Sequence, residues 1–192
     1  MRNVWSLLLV TALLAGCGQG SAGPKLKEAQ LRTLVLQPKD LPRGLEEFDF
    51  GRQLTTDAHP GPRRDQTRFG RQDGWKARYR RGGKDATVIE SRVDVFAHVG
   101  GAKQDLDAYS AEFENSKAAG WKPLTVAAIG DGSRGATLLQ RAPGGGLRYF
   151  TIAWRDGRLT ASVTIAGFAR SMRLDEALAL ARKQERRLAR IK

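Results

Sequence analysis

The side chains best suited to acid–base or metal chemistry in this chain are its two histidines. His59 lies in a Pro-Gly segment, and His98 lies at the end of an apolar–polar alternation, just before Gly100. A serine hydrolase would need an acid and a serine beside one of them, but the sequence contains no G-x-S-x-G elbow and no His/Glu cluster with metal-ligand spacing. We therefore expect no catalytic set, no metal site and no cofactor. A hydrolase using His98 or His59 stays open as the enzymatic alternative.

A glycine motif at 130–135, with the sequence GDGSRG, matches the G-x-G-x-x-G pattern of dinucleotide-binding loops. That pattern binds a pyrophosphate only when a helix follows it inside a β-α-β unit. Here Pro143 and three glycines follow after a short segment, which leaves no room for such a helix. The motif is therefore interpreted as a hairpin turn.

A basic segment is the feature most suggestive of binding. Lys76, Arg78 and Arg80 alternate with the apolar residues of a predicted strand, so their side chains are expected on one face. The whole chain has 33 Lys and Arg against 20 Asp and Glu, a net charge of +13 that favours anionic partners. These three residues are the candidate anionic-ligand site. The alternative is a solvated sheet face whose charges discourage edge pairing.

The N-terminus carries an export signal. Arg2 precedes an uncharged, mostly apolar run over 4–15 that is too short to span a bilayer. The run ends in the sequence Leu-Ala-Gly-Cys at 14–17, which resembles the lipobox of bacterial lipoproteins. The resemblance implies that residues 1–16 are a signal peptide and that Cys17 is the lipid-attachment site. Because Cys17 is the single cysteine, the mature chain can form no internal disulfide.

Three segments follow from this assignment: the signal peptide at 1–16, the lipidated cysteine with a flexible tether at 17–24, and a single domain at 25–192. The expected location is extracytoplasmic, on the outer face of the cytoplasmic membrane or on the outer membrane. The expected partners are the membrane, through the lipid on Cys17, and an anionic envelope component. Nucleic acid is not expected as a partner outside the cytoplasm.

The periodicity of the mature chain predicts an α+β fold with an antiparallel sheet. A helix is predicted over 25–36, a first strand over 47–55 and mostly loop over 58–74. Two strand-strand-helix units follow, and we expect their two long helices to pack on one face of the sheet. The last helix has an apolar stripe and a basic opposite side that includes Arg182, Arg186 and Arg190. That side is interpreted as solvated, with membrane contact along it as the alternative.

The hairpin around Asp156-Gly157 has the strongest turn signal in the sequence. A two-residue loop at these positions predicts that Trp154 pairs with Leu159 and that Ile152 pairs with Ala161. Both pairs are apolar and would share one face of the sheet.

The order of elements, with an Asp-Leu-Pro-x-Gly turn at 40–44, resembles small exported lipoproteins and sensor-type extracytoplasmic domains of bacteria. The resemblance implies no functional residues. The leading hypothesis is a non-enzymatic, lipid-anchored binding or accessory lipoprotein of the cell envelope. An envelope hydrolase and a structural envelope component are the alternatives.

Overall fold

The computed structural model describes residues 22–53, 67–115, 120–141 and 145–191, so Cys17 and His59 lie outside the described residues. The strands are β1 (Glu46–Arg52), β2 (Arg71–Arg81), β3 (Thr87–Phe96), β4 (Trp121–Leu124), β5 (Gly132–Gln140), β6 (Leu147–Asp156) and β7 (Leu159–Phe168). The α-helices are α1 (Glu28–Leu34), α2 (Val99–Asn115) and α3 (Leu174–Leu188). Short 3-10 helices occupy Pro38–Asp40, Arg68–Gly70, Gly83–Asp85 and Ala189–Ile191.

The seven described strands form one sheet in the order β1-β2-β3-β7-β6-β5-β4, with every neighbouring pair antiparallel. The predicted α+β class with an antiparallel sheet is confirmed. The two units occur as β2-β3-α2 and β6-β7-α3, and their last strands pair at the centre of the sheet. The end with the β2–β3 turn is called the distal end. The end with the β6–β7 turn is called the proximal end.

The main core lies between the sheet and the α1 and α3 helices. In β2 the apolar side chains Trp75, Ala77 and Tyr79 alternate with half-buried or exposed basic ones, so this strand buries one face. Helix α3 covers that face with its predicted apolar stripe, including Ala181 and Leu188. The face is called the α3 face.

Helix α2 packs on the opposite face, so the prediction that both long helices share one face is wrong. Tyr109 of α2 donates a hydrogen bond to Ser162 at 3.1 Å, and Thr160 donates one to Asp105 at 2.7 Å. Ser162 and Thr160 alternate with the apolar residues of β7 that face α3. The small and hydroxyl side chains of this face accommodate a helix because they leave space for it and supply hydrogen-bond partners. This second face is called the α2 face.

The β6–β7 hairpin forms where it was predicted, but its register differs by two residues. Trp154 pairs with Ala161 and Asp156 pairs with Leu159, so the two-residue loop is Gly157 and Arg158. Gly157 has a φ of +57°, and glycine at the first loop position is typical of a type II′ turn. A shift of two residues keeps each side chain on its face, so the apolar pattern could not distinguish the two registers.

The remaining differences concern strand bounds. The first strand ends at Arg52, and β2 begins at Arg71, inside the segment that was predicted to be mostly loop.

The glycine motif at 130–135 leads into β5 and not into a helix, which confirms its interpretation as a turn.

Candidate ligand-binding cleft

Two of the three predicted basic residues are engaged in ion pairs on the α2 face. Lys76 Nζ lies 2.9 Å from Asp49 Oδ2, and Arg78 Nε lies 2.5 Å from Glu90 Oε2. Arg78 also lies 3.6 Å from Asp49, and Arg92 continues the network on the other side of Glu90 at 3.7 Å. Because the partner carboxylates offset their charges, Lys76 and Arg78 offer a weaker attraction to an external anion than the sequence suggested.

Arg80 has a different environment. The strand pattern places it on the same face as Lys76 and Arg78, but its side chain is exposed. Its guanidinium carbon lies 5.3 Å from the centre of the Phe48 ring, a distance at which a cation and a ring attract each other. Phe48 sits at the irregularity between Glu47 and Asp49 in β1, which brings its ring beside Arg80. A ring contact leaves the guanidinium hydrogen-bond donors available.

Arg80 lines a cleft of about 540 Å³ at the distal end of the α2 face. The lining comes from the turn before β1, from the β2–β3 turn, from the start of β6 and from the end of β7. It comprises Gly44, Glu46, Arg80, Arg81, Gly82, Ala86, Thr87, Val88, Leu147, Tyr149, Ala166 and Gly167.

Arg81 is the second cation of the cleft, and backbone carbonyl groups hold it in place. Its Nε donates to the Asp85 carbonyl at 3.3 Å, and its Nη1 donates to the Arg43 carbonyl at 3.4 Å. Neutral carbonyl partners orient the guanidinium without cancelling its charge. Glu46 supplies an acidic group in the lining, so the two arginines outnumber the carboxylate there.

The floor of the cleft is apolar. Val88 and Ala166 are paired across β3 and β7, and Ala166 pairs in turn with Tyr149 of β6. Val88 is 41% exposed, which is unusual for a valine in an inner strand of a sheet. The exposure arises because α2 contacts this face nearer the proximal end, through Asp105 and Tyr109.

The structure thus places one predicted residue in the cleft and two beside it. The apolar floor was not predicted from the sequence, although the position of Val88 among charged residues indicated it. In β3 the next three residues that share its face, Glu90, Arg92 and Asp94, are charged. An apolar residue on the polar side of a strand indicates either contact with another element or an exposed binding surface.

The described residues add no support for the alternative of a hydrolase that uses His98 or His59. His98 is exposed at the proximal end, where its carbonyl accepts hydrogen bonds from the amides of Gly101 and Ala102 at the start of α2. His59 lies outside the described residues. Within the described ranges, no group of three or more His, Cys, Asp or Glu side chains is placed to hold a metal ion.

Comparison with known proteins supplies a structural neighbour. The extracellular domain of PknH from Mycobacterium tuberculosis superposes with a TM-score of 0.67 at 12% sequence identity, covering 86% of this chain and 97% of that one. At this identity the likeness shows a shared fold. No protein-family model and no curated protein sequence matches the chain. None of the helices in the described ranges is long and apolar enough to cross a bilayer.

Proposed function

We propose that this protein is a lipid-anchored, non-enzymatic binding or accessory lipoprotein of the bacterial cell envelope, and that its ligand is an anionic amphipathic molecule bound in the distal cleft. The observation that carries the proposal is the placement of Arg80 beside the exposed Val88. Among the described residues Arg80 has no carboxylate contact, and it lies next to an open apolar floor. The cleft therefore suits a ligand that carries a negative charge and an apolar part.

The ligand class follows from the two parts of the lining. Arg80 and Arg81 suit a carboxylate, sulfate or phosphate, since a guanidinium presents a planar set of donors to such groups. Val88, Leu147 and Tyr149 suit an acyl chain, an aromatic ring or the apolar face of a sugar. The ion pairs of Lys76 and Arg78 keep the neighbouring surface close to neutral, which confines the positive charge to the cleft.

The extracytoplasmic part of the proposal is supported by the fold of the neighbour and by the export signal. The neighbour is an extracellular domain by its description. The lipobox-like segment at 14–17 supports attachment through Cys17, which would hold the domain at a membrane surface. Mass spectrometry of the N-terminal peptide tests this attachment, and Cys17→Ser should yield an unacylated chain that is lost from the membrane fraction.

The cleft is tested with 8-anilinonaphthalene-1-sulfonate, a probe that joins a sulfonate to an aromatic body. The mature chain is titrated at low salt and the probe's fluorescence is recorded. We expect Arg80→Gln to weaken binding about tenfold, because a hydrogen bond to a charged group contributes about 1.5 kcal/mol or more. We expect Val88→Asp to weaken it further through repulsion and loss of apolar contact.

Arg170→Gln is the matched control. Arg170 lies 5.5 Å from the centre of the Phe168 ring, so it is also an arginine over an aromatic ring near the distal end, but it does not line the cleft. Its loss should leave the affinity unchanged. Equal binding by the Arg80 variant and the wild-type protein, with an unchanged near-ultraviolet circular dichroism spectrum, would refute the cleft as the binding site.

A further inference from the structure

The first described residues are fastened to the proximal end of the sheet. The Gly23 amide donates to the Ala97 carbonyl at 2.8 Å, and Gln72 Nε2 donates to the Gly23 carbonyl at 3.2 Å. Arg158, in the β6–β7 turn, donates to the Pro24 carbonyl and also to the Phe96 carbonyl at 3.1 Å. These contacts set the point from which the chain leads back toward Cys17.

Helix α3 ends near the same end of the sheet. It runs antiparallel to β7, and Gln184 and Glu185 already contact Arg92 and Trp154, in the proximal halves of β3 and β6. The following residues therefore approach the proximal end, where Leu188 is buried and Arg186 and Arg190 are exposed.

A group of exposed basic side chains is thereby placed around the point where the chain enters the domain. Two precede α1 and two belong to the end of α3 and the 3-10 helix after it. This group, the proximal basic pole, comprises Lys25, Lys27, Arg186 and Arg190. Glu28 is the exposed acidic residue adjacent in sequence to the first pair.

We propose that the proximal basic pole contacts the headgroups of anionic phospholipids in the membrane that holds Cys17. The inference rests on the proposed acylation. Cys17 lies six residues before Gly23, a reach of at most about 22 Å, so the proximal end of the domain stays at the bilayer surface. Basic residues that close to an anionic surface are attracted to it strongly.

The distal cleft then lies at the end of the domain that is farther from the bilayer. Strand β3 has 10 residues, about 33 Å in extended conformation, and it separates the β2–β3 turn beside the cleft from the residues that fasten Gly23. The pole and the cleft consequently serve different partners: a lipid surface at one end and an amphipathic ligand at the other.

The test uses the mature chain with Cys17 blocked, so that binding reports the pole and not the lipid. Partition onto vesicles is measured by sedimentation for phosphatidylcholine alone and for phosphatidylcholine with 30% phosphatidylglycerol. We expect binding to the anionic vesicles that falls as salt rises. Replacing all four pole residues by glutamine should reduce it about 600-fold, which corresponds to about fivefold for each charge.

The control removes the same number of charges from the opposite end. Arg43, Lys84, Arg170 and Arg173 are exposed and near the distal end, and none of them lines the cleft. Their glutamine variant should retain most of the binding. Equal losses in the two variants would show that net charge alone drives adsorption and would overturn the inference. Absence of binding to anionic vesicles would overturn it too, while the probe titration of the cleft would be unaffected.

A second measurement addresses orientation on the anchored protein. The Cys17 thiol is coupled to a maleimide phospholipid in the same vesicles, and amide hydrogen exchange is compared with that of the uncoupled chain. We expect added protection at 25–27 and 186–190 on anionic vesicles, and none in the β2–β3 turn. Protection of the β2–β3 turn with an unchanged pole would contradict the proposed orientation.

Discussion

Ser91 of β3 donates a hydrogen bond to the side-chain oxygen of Gln184 in α3 at 2.8 Å, and both residues are fully excluded from solvent. The Ser91 hydroxyl also accepts from the Leu36 amide at 2.9 Å, and the Gln184 side-chain nitrogen donates to the Arg92 carbonyl at 2.8 Å. One buried amide and one hydroxyl thus fix α3 and the segment after α1 over the central strand.

Replacing Gln184 by leucine should lower the free energy of unfolding by about 2–3 kcal/mol, since the Ser91 hydroxyl loses its acceptor and the Arg92 carbonyl its donor. Urea denaturation followed by circular dichroism measures the loss. Arg182→Leu, at an exposed position of the same helix, should leave stability almost unchanged. Equal values for the two variants would show that the buried amide contributes nothing specific.

Gly101 and Gly100 offer a matched pair at the start of α2. A methyl group on Gly101 would overlap the Phe69 carbonyl oxygen, whereas one on Gly100 would meet no atom within 4 Å. Gly101→Ala should therefore destabilise the protein by about 1–3 kcal/mol through displacement of the helix. Gly100→Ala should be neutral or stabilising, because alanine favours helix more than glycine. Thermal unfolding of both variants checks this, and a stable Gly101 variant would contradict the close approach.

Tyr79 should make stability fall at alkaline pH. Burial raises the pKa of its phenol well above the ordinary value, helped by the negative charges of Glu47 and Asp40. The unfolded chain releases the proton near pH 10 while the folded chain retains it, so stability is complete below that pH and declines above it. Tyr79→Phe should remove this part of the decline, although it also removes the hydrogen bond to the Leu36 carbonyl.

Urea midpoints measured from pH 8 to 11 separate these two effects. The lost hydrogen bond lowers stability equally at every pH, whereas the ionisation changes the slope above pH 10. Parallel pH profiles for the wild-type protein and the Tyr79→Phe variant would contradict the raised pKa.

Arg71 and Asp94 form a buried ion pair at 2.6 Å, with side-chain exposures of 10% and 3%. Arg71→Met should cost about 3–5 kcal/mol, because it removes a cation beside a buried carboxylate. Lys103→Met breaks the pair with Asp107, whose side chains are 71% and 47% exposed, and should have little effect because solvent screens that pair. Guanidinium denaturation of both variants gives the comparison, and equal losses would contradict the importance of burial.

Most of the fold could be predicted from the periodicity of apolar residues in the sequence. The alternation in β2 and the apolar stripe of α3 were sufficient because each element buries a single side. The side of the sheet chosen by α2 was not predictable in the same way. Two of its hydrogen bonds to the sheet are made with Ser162 and Thr160, whose hydroxyl groups can bind water or a helix equally well.

The cleft was only partly predictable, for a related reason. The two-residue period of the strand placed Lys76, Arg78 and Arg80 on one face. Whether each positive charge is available to a ligand depends on neighbours that are distant in sequence. Asp49 offsets Lys76 across the β1–β2 pair, while the irregularity in β1 moves Phe48 next to Arg80. Strand pairing decides which cation stays available, and a single strand's sequence does not specify its pairing.

The central pairing of β3 with β7 has a consequence for how the chain folds. Ile89 pairs with Ile165, so the middle of the sheet joins segments from opposite halves of the sequence. Pairings of such high contact order form slowly, because the entropy cost of closing a long loop comes before the stabilising contacts form. When the N-terminal part of the chain becomes available first, β3 has an unpaired edge until β7 pairs with it. Unpaired strand edges promote aggregation. We expect the yield of folded protein to be limited by the arrival of the segment that begins at Leu159.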